Sequence, residues 1–95
     1  MKRKVIRPTE RLMGGPETAA LQQTLGRMVK QGFKQVVLDL SGVRWMNSAG
    51  LGLLIATHMK CRKCGIRLIL VNPSPKVRSL MAMTKLAGVF EIRIS

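Results

Sequence analysis

The side chains of this 95-residue sequence that could do metal or redox chemistry are two cysteines and one histidine. Cys61 and Cys64 form a C-x-x-C pair, a spacing that redox and zinc sites both use. The pair falls at the carboxyl end of a predicted helix, where the helix dipole disfavours the reactive thiolate. Zinc would need four ligands, and His58 is the only further candidate close by in the sequence. We therefore expect structural thiols, a histidine packed on the flank of a helix, and no bound metal.

Acid–base or nucleophilic catalysis would need paired groups, which this sequence does not place together. The carboxylates are scattered over different predicted elements, at Glu10, Glu17, Asp39 and Glu91. Ser48 has no histidine partner, because His58 lies about three turns further along the same predicted helix. Gly50 and Gly52 lack the third glycine of a dinucleotide-binding loop and the lysine of a phosphate-binding loop. We expect no enzyme, no catalytic residue and no cofactor.

Ser48 has two interpretations, and the residues alone leave both open. Asn47 and Ser48 are both of the types that cap helix amino ends, which contributes about 0.5 to 2 kcal/mol. Alternatively, Ser48 is a phosphorylation site, because a phosphoserine carries about −1.5 to −2 charges and a helix amino end stabilises it. The small residues Ala49, Gly50 and Gly52 would let another backbone approach closely. We take Gly52 in particular to lie against a neighbouring backbone or a partner.

The spacing of apolar residues predicts strands that alternate with helices. The predicted strands cover residues 4–12, 35–40, 67–71 and 90–94, and the predicted helices run from Pro16 to Gly32, from Ser48 to about Cys64, and over residues 75–85. Pro8 would remove a hydrogen-bond donor from a central strand, so the first strand belongs at an edge or a bulge. This order predicts an α/β fold in which a mostly parallel sheet has right-handed crossovers. We expect one domain over residues 1–95.

Two motifs resemble the central signature of STAS domains, the fold of bacterial anti-sigma factor antagonists. They are Asp39-Leu40-Ser41-Gly42-Val43 and Asn47-Ser48-Ala49-Gly50-Leu51-Gly52-Leu53-Leu54. Residues 65–73 and 77–90 are similar to the family's next strand and closing helix, so the resemblance runs from about residue 11 to the C-terminus. It implies a four- to five-stranded, mostly parallel sheet with the helices packed mainly on one face, and an additional strand before Leu12.

The resemblance also implies a function, that of a non-enzymatic antagonist which captures an anti-sigma factor and so frees the sigma factor. In the family, the residue that matches Ser48 is phosphorylated by the anti-sigma factor, a serine kinase, and phosphorylation breaks the complex. The partner-binding residues it implies are Asp39, Ser41, Gly42, Asn47, Ser48, Ala49, Gly50, Leu51 and Gly52. The chain departs from the family pattern at two positions. Asn47 stands where the family has an acidic residue before the phosphorylated serine, and Met13 stands where an earlier turn often has another acidic residue.

The charge balance is strongly positive, with 17 Lys+Arg against 4 Asp+Glu and a net charge of +13. Such an excess favours an anionic partner or forms a solvated surface. Only 3% of the residues are aromatic, which disfavours the stacking of bases on this protein. Of the possible anionic partners, we therefore expect an acidic protein and not nucleic acid.

Two other functions stay open at this point. One is a STAS subunit of a phospholipid-transport ABC complex, which would co-purify with the ATPase on which it docks. The other is a basic anion- or nucleic-acid-binding domain, whose affinity for DNA would fall steeply with salt. No stretch approaches the roughly 18 apolar residues of a membrane span, and the basic N-terminus lacks the apolar region of a signal peptide. We expect a cytoplasmic protein.

Overall fold

Six strands and three helices form the part of the chain that this computed structural model describes, residues 3–8, 10–86 and 88–94. In chain order they are β1 (Arg3–Ile6), β2 (Arg11–Leu12), α1 (Pro16–Lys30), β3 (Gln35–Asp39), β4 (Trp45–Met46), α2 (Ser48–Lys63), β5 (Arg67–Val71), α3 (Pro75–Met83) and β6 (Glu91–Arg93). The main sheet has the order β1-β3-β5-β6, and each neighbouring pair is parallel. The predicted α/β fold with a parallel sheet is confirmed.

One face of the main sheet packs against all three helices. Its core residues are Val36, Leu38, Leu68 and Leu70 from the strands with Leu21, Leu25, Leu54, Val77 and Met81 from the helices. Successive side chains of a strand point to opposite faces, so the intervening Val37 and Ile69 belong to the other face. Both are buried, whereas Val5 beside them on the edge strand β1 is exposed. The helices therefore pack on one side, as the resemblance implies.

The face opposite the helices carries a charged network. The Arg67 Nε donates to Oε1 of Glu91 at 2.7 Å, and Arg93 donates to Oε2 of the same carboxylate at 3.0 Å. The hydrogen bond from Arg67, followed by the contribution of Arg93, holds the pKa of Glu91 below its usual range. Glu91 lies opposite Ile69 in the sheet register, so the network flanks this buried apolar side chain.

The helix ends follow from local sequence. Pro16 occupies the first turn of α1, where its missing N–H costs no hydrogen bond. The Ser74 hydroxyl accepts from the Val77 N–H and so caps α3. That helix ends at Met83 and not at Lys85 as predicted, because Lys85 adopts a left-handed φ of +59°. In the described part of the chain, no helix is long and apolar enough to cross a membrane.

The amino-terminal region differs most from the prediction. The expected single strand over residues 4–12, of which position 9 lies outside the described residues, is two strands in different sheets. β1 is an edge strand of the main sheet and ends before the buried Pro8, as a missing N–H requires. β2 instead pairs with β4, a strand that the sequence did not predict. Strands of two residues are too short for an alternating pattern to show.

Candidate functional site

The predicted phosphorylation site, Ser48, lies at the amino end of α2, where the side chain of Asn47 makes the hydrogen bonds that hold the turn. The Asn47 Oδ1 accepts from the backbone N–H groups of Ala49 at 3.0 Å and Gly50 at 3.2 Å. Its Nδ2 donates to the backbone carbonyl of Met13 at 3.0 Å. One amide side chain thus caps the helix and ties it to the segment after β2. A carboxylate could accept the two N–H groups but could not donate to Met13, which gives a physical reason for asparagine here.

Ser48 is the first helical residue and not the cap, which corrects one of its two interpretations. It is exposed, and its hydroxyl has no hydrogen-bond partner among the described residues. The first turn of α2 contains no acidic residue. The positive end of the helix dipole is therefore open to an anion on the Ser48 oxygen.

Gly50 is the glycine that a close approach requires. A Cβ at Gly50 would lie 2.1 Å from the carbonyl oxygen of Leu12 and 2.9 Å from the Leu12 Cβ. The first turn of α2 therefore packs directly on the backbone of β2. The expectation that Gly52 lies against a neighbouring backbone is wrong, since a Cβ there would meet nothing within 4 Å. Gly52 is exposed and leaves room for a partner.

Asp39 and its neighbours form a second part of the same edge of the sheet, at the carboxyl end of β3. The Ser41 N–H donates to Oδ1 of Asp39 at 3.0 Å, and Arg7 donates to Oδ2 from Nε at 3.1 Å and from Nη2 at 2.8 Å. The bond from the Ser41 N–H, together with the Ser41 hydroxyl and Arg7, lowers the pKa of Asp39 against the opposing effect of burial. A Cβ on the nearby Gly42 would lie 3.3 Å from the Pro8 carbonyl oxygen.

The predicted contact residues divide by exposure. Those exposed to solvent are Ser41, Gly42, Ser48, Ala49 and Gly52, and those half-buried are Asp39 and Asn47. Gly50 is buried, and Leu51 is only 3% exposed and belongs to the hydrophobic core. Leu51 therefore cannot present its side chain to a partner, and its role as a contact residue is corrected to a structural one.

The sequence reasoning missed an apolar surface beside the turn. Trp45 is 45% exposed and Met83 is 81% exposed. The Lys76 ammonium lies 3.9 Å from the centre of the Trp45 ring, which is cation–π distance. We use the name Trp45 patch for Trp45, Met46, Lys76, Leu80 and Met83. These residues line two adjoining grooves, and Pro75 and Lys76 belong to the lining of both. The signal was the position of the only tryptophan, two residues before Asn47.

Cys61 and His58 have packing roles, whereas Cys64, also expected to be a structural thiol, is exposed. Cys61 is buried in the core, where burial and then the neighbouring Cys64 raise the pKa of its thiol. Cys64 is exposed beyond the last turn of α2, so the two sulfur atoms have different surroundings. The His58 ring packs edge to face on the Phe90 ring, with 5.5 Å between the ring centroids. This confirms the prediction of a partly packed histidine. Among the described residues, no three His, Cys, Asp or Glu side chains are grouped as a metal would need.

Comparisons with known proteins identify the family. The family model described as STAS domain matches residues 5–95, so the chain belongs to the STAS domain family, as the two motifs predicted. The chain is similar to the anti-sigma factor antagonist SpoIIAA of Bacillus in its unphosphorylated form, with 20% identity and a TM-score of 0.81. That match covers 100% of this chain and 82% of the SpoIIAA chain.

Two further structures extend the comparison. The phosphorylated form of SpoIIAA is 22% identical, with a TM-score of 0.77 over 100% of this chain and 86% of its own. A sulfate transporter family protein from Wolinella succinogenes is 12% identical, with a TM-score of 0.78 over 96% of this chain and 75% of its own. At these identities the likeness establishes the fold, which different kinds of protein therefore share.

Proposed function

We propose that this protein is a cytoplasmic anti-sigma factor antagonist, a non-enzymatic domain that binds an anti-sigma factor and releases it after phosphorylation of Ser48. The observation that carries the proposal is the state of Ser48. Its hydroxyl is exposed at the first position of α2, and Asn47 already makes the capping bonds. The serine is therefore free to be modified without loss of a structural hydrogen bond. The similarity to SpoIIAA, solved with and without phosphate, supports the assignment.

The modification we propose is a phosphoryl transfer from ATP. The Ser48 Oγ forms a bond to the γ-phosphorus, the bond from that phosphorus to the oxygen bridging to the β-phosphate breaks, ADP leaves and the hydroxyl proton is released. The product carries about −1.5 to −2 charges at the positive end of the α2 dipole. Because the first turn of α2 holds no acidic residue to repel it, the fold tolerates the phosphate.

Phosphorylation would end binding through the cost of removing the phosphate from water. A partner seated on the turn covers Ser48, and an unpaired charge in such an interface costs several kcal/mol. The neighbouring Trp45 patch supplies the apolar contact, since tryptophan is among the residues that dominate protein interfaces. The groove beside Trp45 is also basic, because Arg44 and Lys76 line it. The partner we propose is an anti-sigma factor with serine kinase activity that presents an apolar, acidic surface.

The experiment uses a purified anti-sigma serine kinase encoded in the same genome. Mixed with this protein and ATP, the kinase should add one phosphate, which peptide mass spectrometry places on Ser48. Titration calorimetry without ATP then compares wild type with Ser48→Ala and Ser48→Asp. Alanine should bind within about threefold of wild type, and aspartate should bind at least tenfold more weakly, a difference of about 1.4 kcal/mol.

Gln23→Glu is the matched control, because it adds the same charge on an exposed position of α1 away from the turn. It should bind like wild type. Equal affinities for Ser48→Ala and Ser48→Asp would contradict the switch. Phosphate on another residue, or no phosphate at all, would contradict the assignment of Ser48 as the modified residue.

A further inference from the structure

The end of the molecule opposite Ser48 concentrates positive charge. Arg27 and Lys30 lie in the last turn of α1, Lys34 follows them, and Lys60, Arg62 and Lys63 lie in the last turn of α2. All six side chains are exposed. We name these six residues the basic pole.

The fold brings the two halves of the basic pole together. Both helices begin at the carboxyl edge of the parallel sheet and end at its amino edge, as crossover helices must. The loops that follow them are joined there, because the Arg67 N–H donates to the Lys34 carbonyl at 3.0 Å. The pole residues of α2 lie 12 to 15 residues beyond Ser48, which is about 18 to 23 Å along the helix at about 1.5 Å per residue.

Carboxylates do not neutralise the pole. Glu17 lies in the first turn of α1, Asp39 lies at the far end of β3, and Glu91 is paired with Arg67 and Arg93. Within the described residues, no side chain of the pole is in salt-bridge distance of an acid. Part of this charge complements the negative helix ends, but six exposed cations exceed what two helix dipoles of about half a charge each require.

An apolar groove of about 450 Å³ adjoins the pole. Its apolar lining consists of Ile55, Met59, Leu86 and Val89. His58, Arg62 and Lys63 also line it. Met59 is 58% exposed and Val89 is 44% exposed, so both can reach a ligand. Apolar side chains beside a cluster of cations match an amphiphile with a negative head group.

We propose that the basic pole docks on an anionic lipid membrane, with the phosphates of the lipids on the cations and with Met59 and Val89 entering the headgroup boundary. Clusters of about four to eight Lys or Arg on helices are typical of proteins that bind acidic lipids. Duplex or single-stranded nucleic acid would not use the exposed Met59 and Val89, and the pole has no aromatic side chain for stacking. Protein interfaces are depleted in lysine, and four of the six residues of the pole are lysines.

Docking in this orientation points the Ser48 turn away from the lipid, so the partner proposed above can bind at the same time. The lipid site does not depend on the antagonist function. The two proposals can be tested independently, because the lipid test uses vesicles without a kinase and the antagonist test uses a kinase without lipid.

Vesicle flotation tests the proposal with the full chain. Phosphatidylcholine vesicles with and without about one-third phosphatidylglycerol are compared near physiological salt, where exposed charges are screened beyond roughly 8 Å. The protein should float with the anionic vesicles only. Arg62→Gln with Lys63→Gln should reduce the partition constant at least tenfold. The charge-matched control, Arg11→Gln with Arg78→Gln, should stay within about threefold of wild type, because both residues lie outside the pole. Thermal melting confirms that each variant is folded.

Three results would overturn the proposal. Equal losses for the two double variants would show that only the net charge matters and that the pole is not a site. Met59→Gln should weaken flotation at least threefold, and unchanged flotation would show that no apolar contact with lipid exists. A short DNA duplex that binds more tightly than the vesicles at the same salt, and loses affinity through the Arg62 and Lys63 changes, would assign the pole to nucleic acid instead.

Discussion

The Asn47 side chain donates to the Met13 carbonyl at 3.0 Å, so a residue at the start of α2 holds the backbone that follows β2. The same side chain accepts from two N–H groups of the first helical turn. Together these three bonds fix the geometry of the turn without help from Ser48. The stability of the turn and its proposed regulation are therefore assigned to adjacent but different residues.

Asn47 should matter more for stability than Ser48. Asn47→Ala removes the cap and the link to Met13, and should lower the free energy of unfolding by about 1.5 to 3 kcal/mol. Ser48→Ala should change it by less than about 0.5 kcal/mol, as is typical of a surface substitution. Urea denaturation of both variants measures the difference. Equal losses would mean that Ser48 shares the cap.

Asn47→Asp isolates the contact with Met13. The carboxylate keeps both capping bonds, but it cannot donate to the Met13 carbonyl and places negative charge beside it. We expect a net loss of about 1 kcal/mol, since the better interaction with the helix dipole offsets part of the lost hydrogen bond. A more stable aspartate variant in urea denaturation would show that the Met13 bond contributes nothing.

The two glycines of α2 should respond in opposite directions to the same change. Gly50→Ala places a Cβ 2.1 Å from the Leu12 carbonyl oxygen, so α2 must shift from β2 at a cost of about 3 kcal/mol or more. Gly52→Ala meets no atom and gains helix propensity, which should stabilise the fold by about 0.5 to 1 kcal/mol. Thermal melting of both variants tests this. A neutral Gly50→Ala would contradict the close packing of α2 on β2.

Trp45 should contribute to partner binding and little to folding. Trp45→Ala removes a half-exposed ring and should weaken binding of the anti-sigma factor by about 2 kcal/mol, roughly thirtyfold. The melting temperature should stay nearly unchanged, because the ring is not part of the core. Calorimetric titration measures the affinity, and Val5→Ala is a control at an exposed apolar position on the edge strand β1. Wild-type affinity for Trp45→Ala would remove the Trp45 patch from the interface.

Asp39 should make the free energy of unfolding depend on pH in the acidic range. Its pKa is lowered in the folded state, so the unfolded chain binds the proton more readily. The stabilisation is therefore complete above the unfolded pKa of about 3.9 and is lost as the pH falls through the lower folded value. Asp39→Asn should flatten the fall in stability below about pH 5. Arg7→Gln should flatten it less, because the Ser41 N–H makes the larger contribution. Urea denaturation across this pH range measures both.

The two cysteines should differ in reactivity. Iodoacetamide should modify Cys64 in the native protein, since that thiol is exposed. Cys61 is buried and its pKa is raised, so it should react only when the chain unfolds. Mass spectrometry of native and urea-treated protein distinguishes the sites. Equal rates for the two thiols in the native protein would contradict the packing of α2.

The parts of the fold that the sequence predicted are those with a long periodic pattern. The three helices bury one face over many residues, so their spacing is visible in the chain. β3 and β5 are buried on both faces and are visible as short continuous apolar runs. The choice between Asn47 and Ser48 as the cap depends on where the Met13 carbonyl lies, which no local pattern records. The prediction singled out Gly52 and not Gly50 for a similar reason, because only the approach of Leu12 distinguishes the two glycines.

The surface around the site was less predictable than its motif. Trp45 is a candidate for contact with a partner because of its position on β4, which pairs with β2. This pairing involves only two residues of each strand and leaves no recognisable pattern in the sequence. Lys76 reaches the ring from α3, which the topology and not the sequence places next to β4. Leu51 was predicted in the interface because it belongs to the family motif, although its helical position turns it into the core.

The strand order β1-β3-β5-β6 also constrains how this chain folds. Every neighbouring pair in the main sheet is separated by a crossover, so a local hairpin cannot start the sheet. Arg7 and Asp39 must meet across 32 residues, and Arg67 and Glu91 across 24. Each closure loses chain entropy before strand pairing compensates for it. Folding of the main sheet therefore waits for such long loops to close, which is characteristic of slow folding governed by non-local contacts.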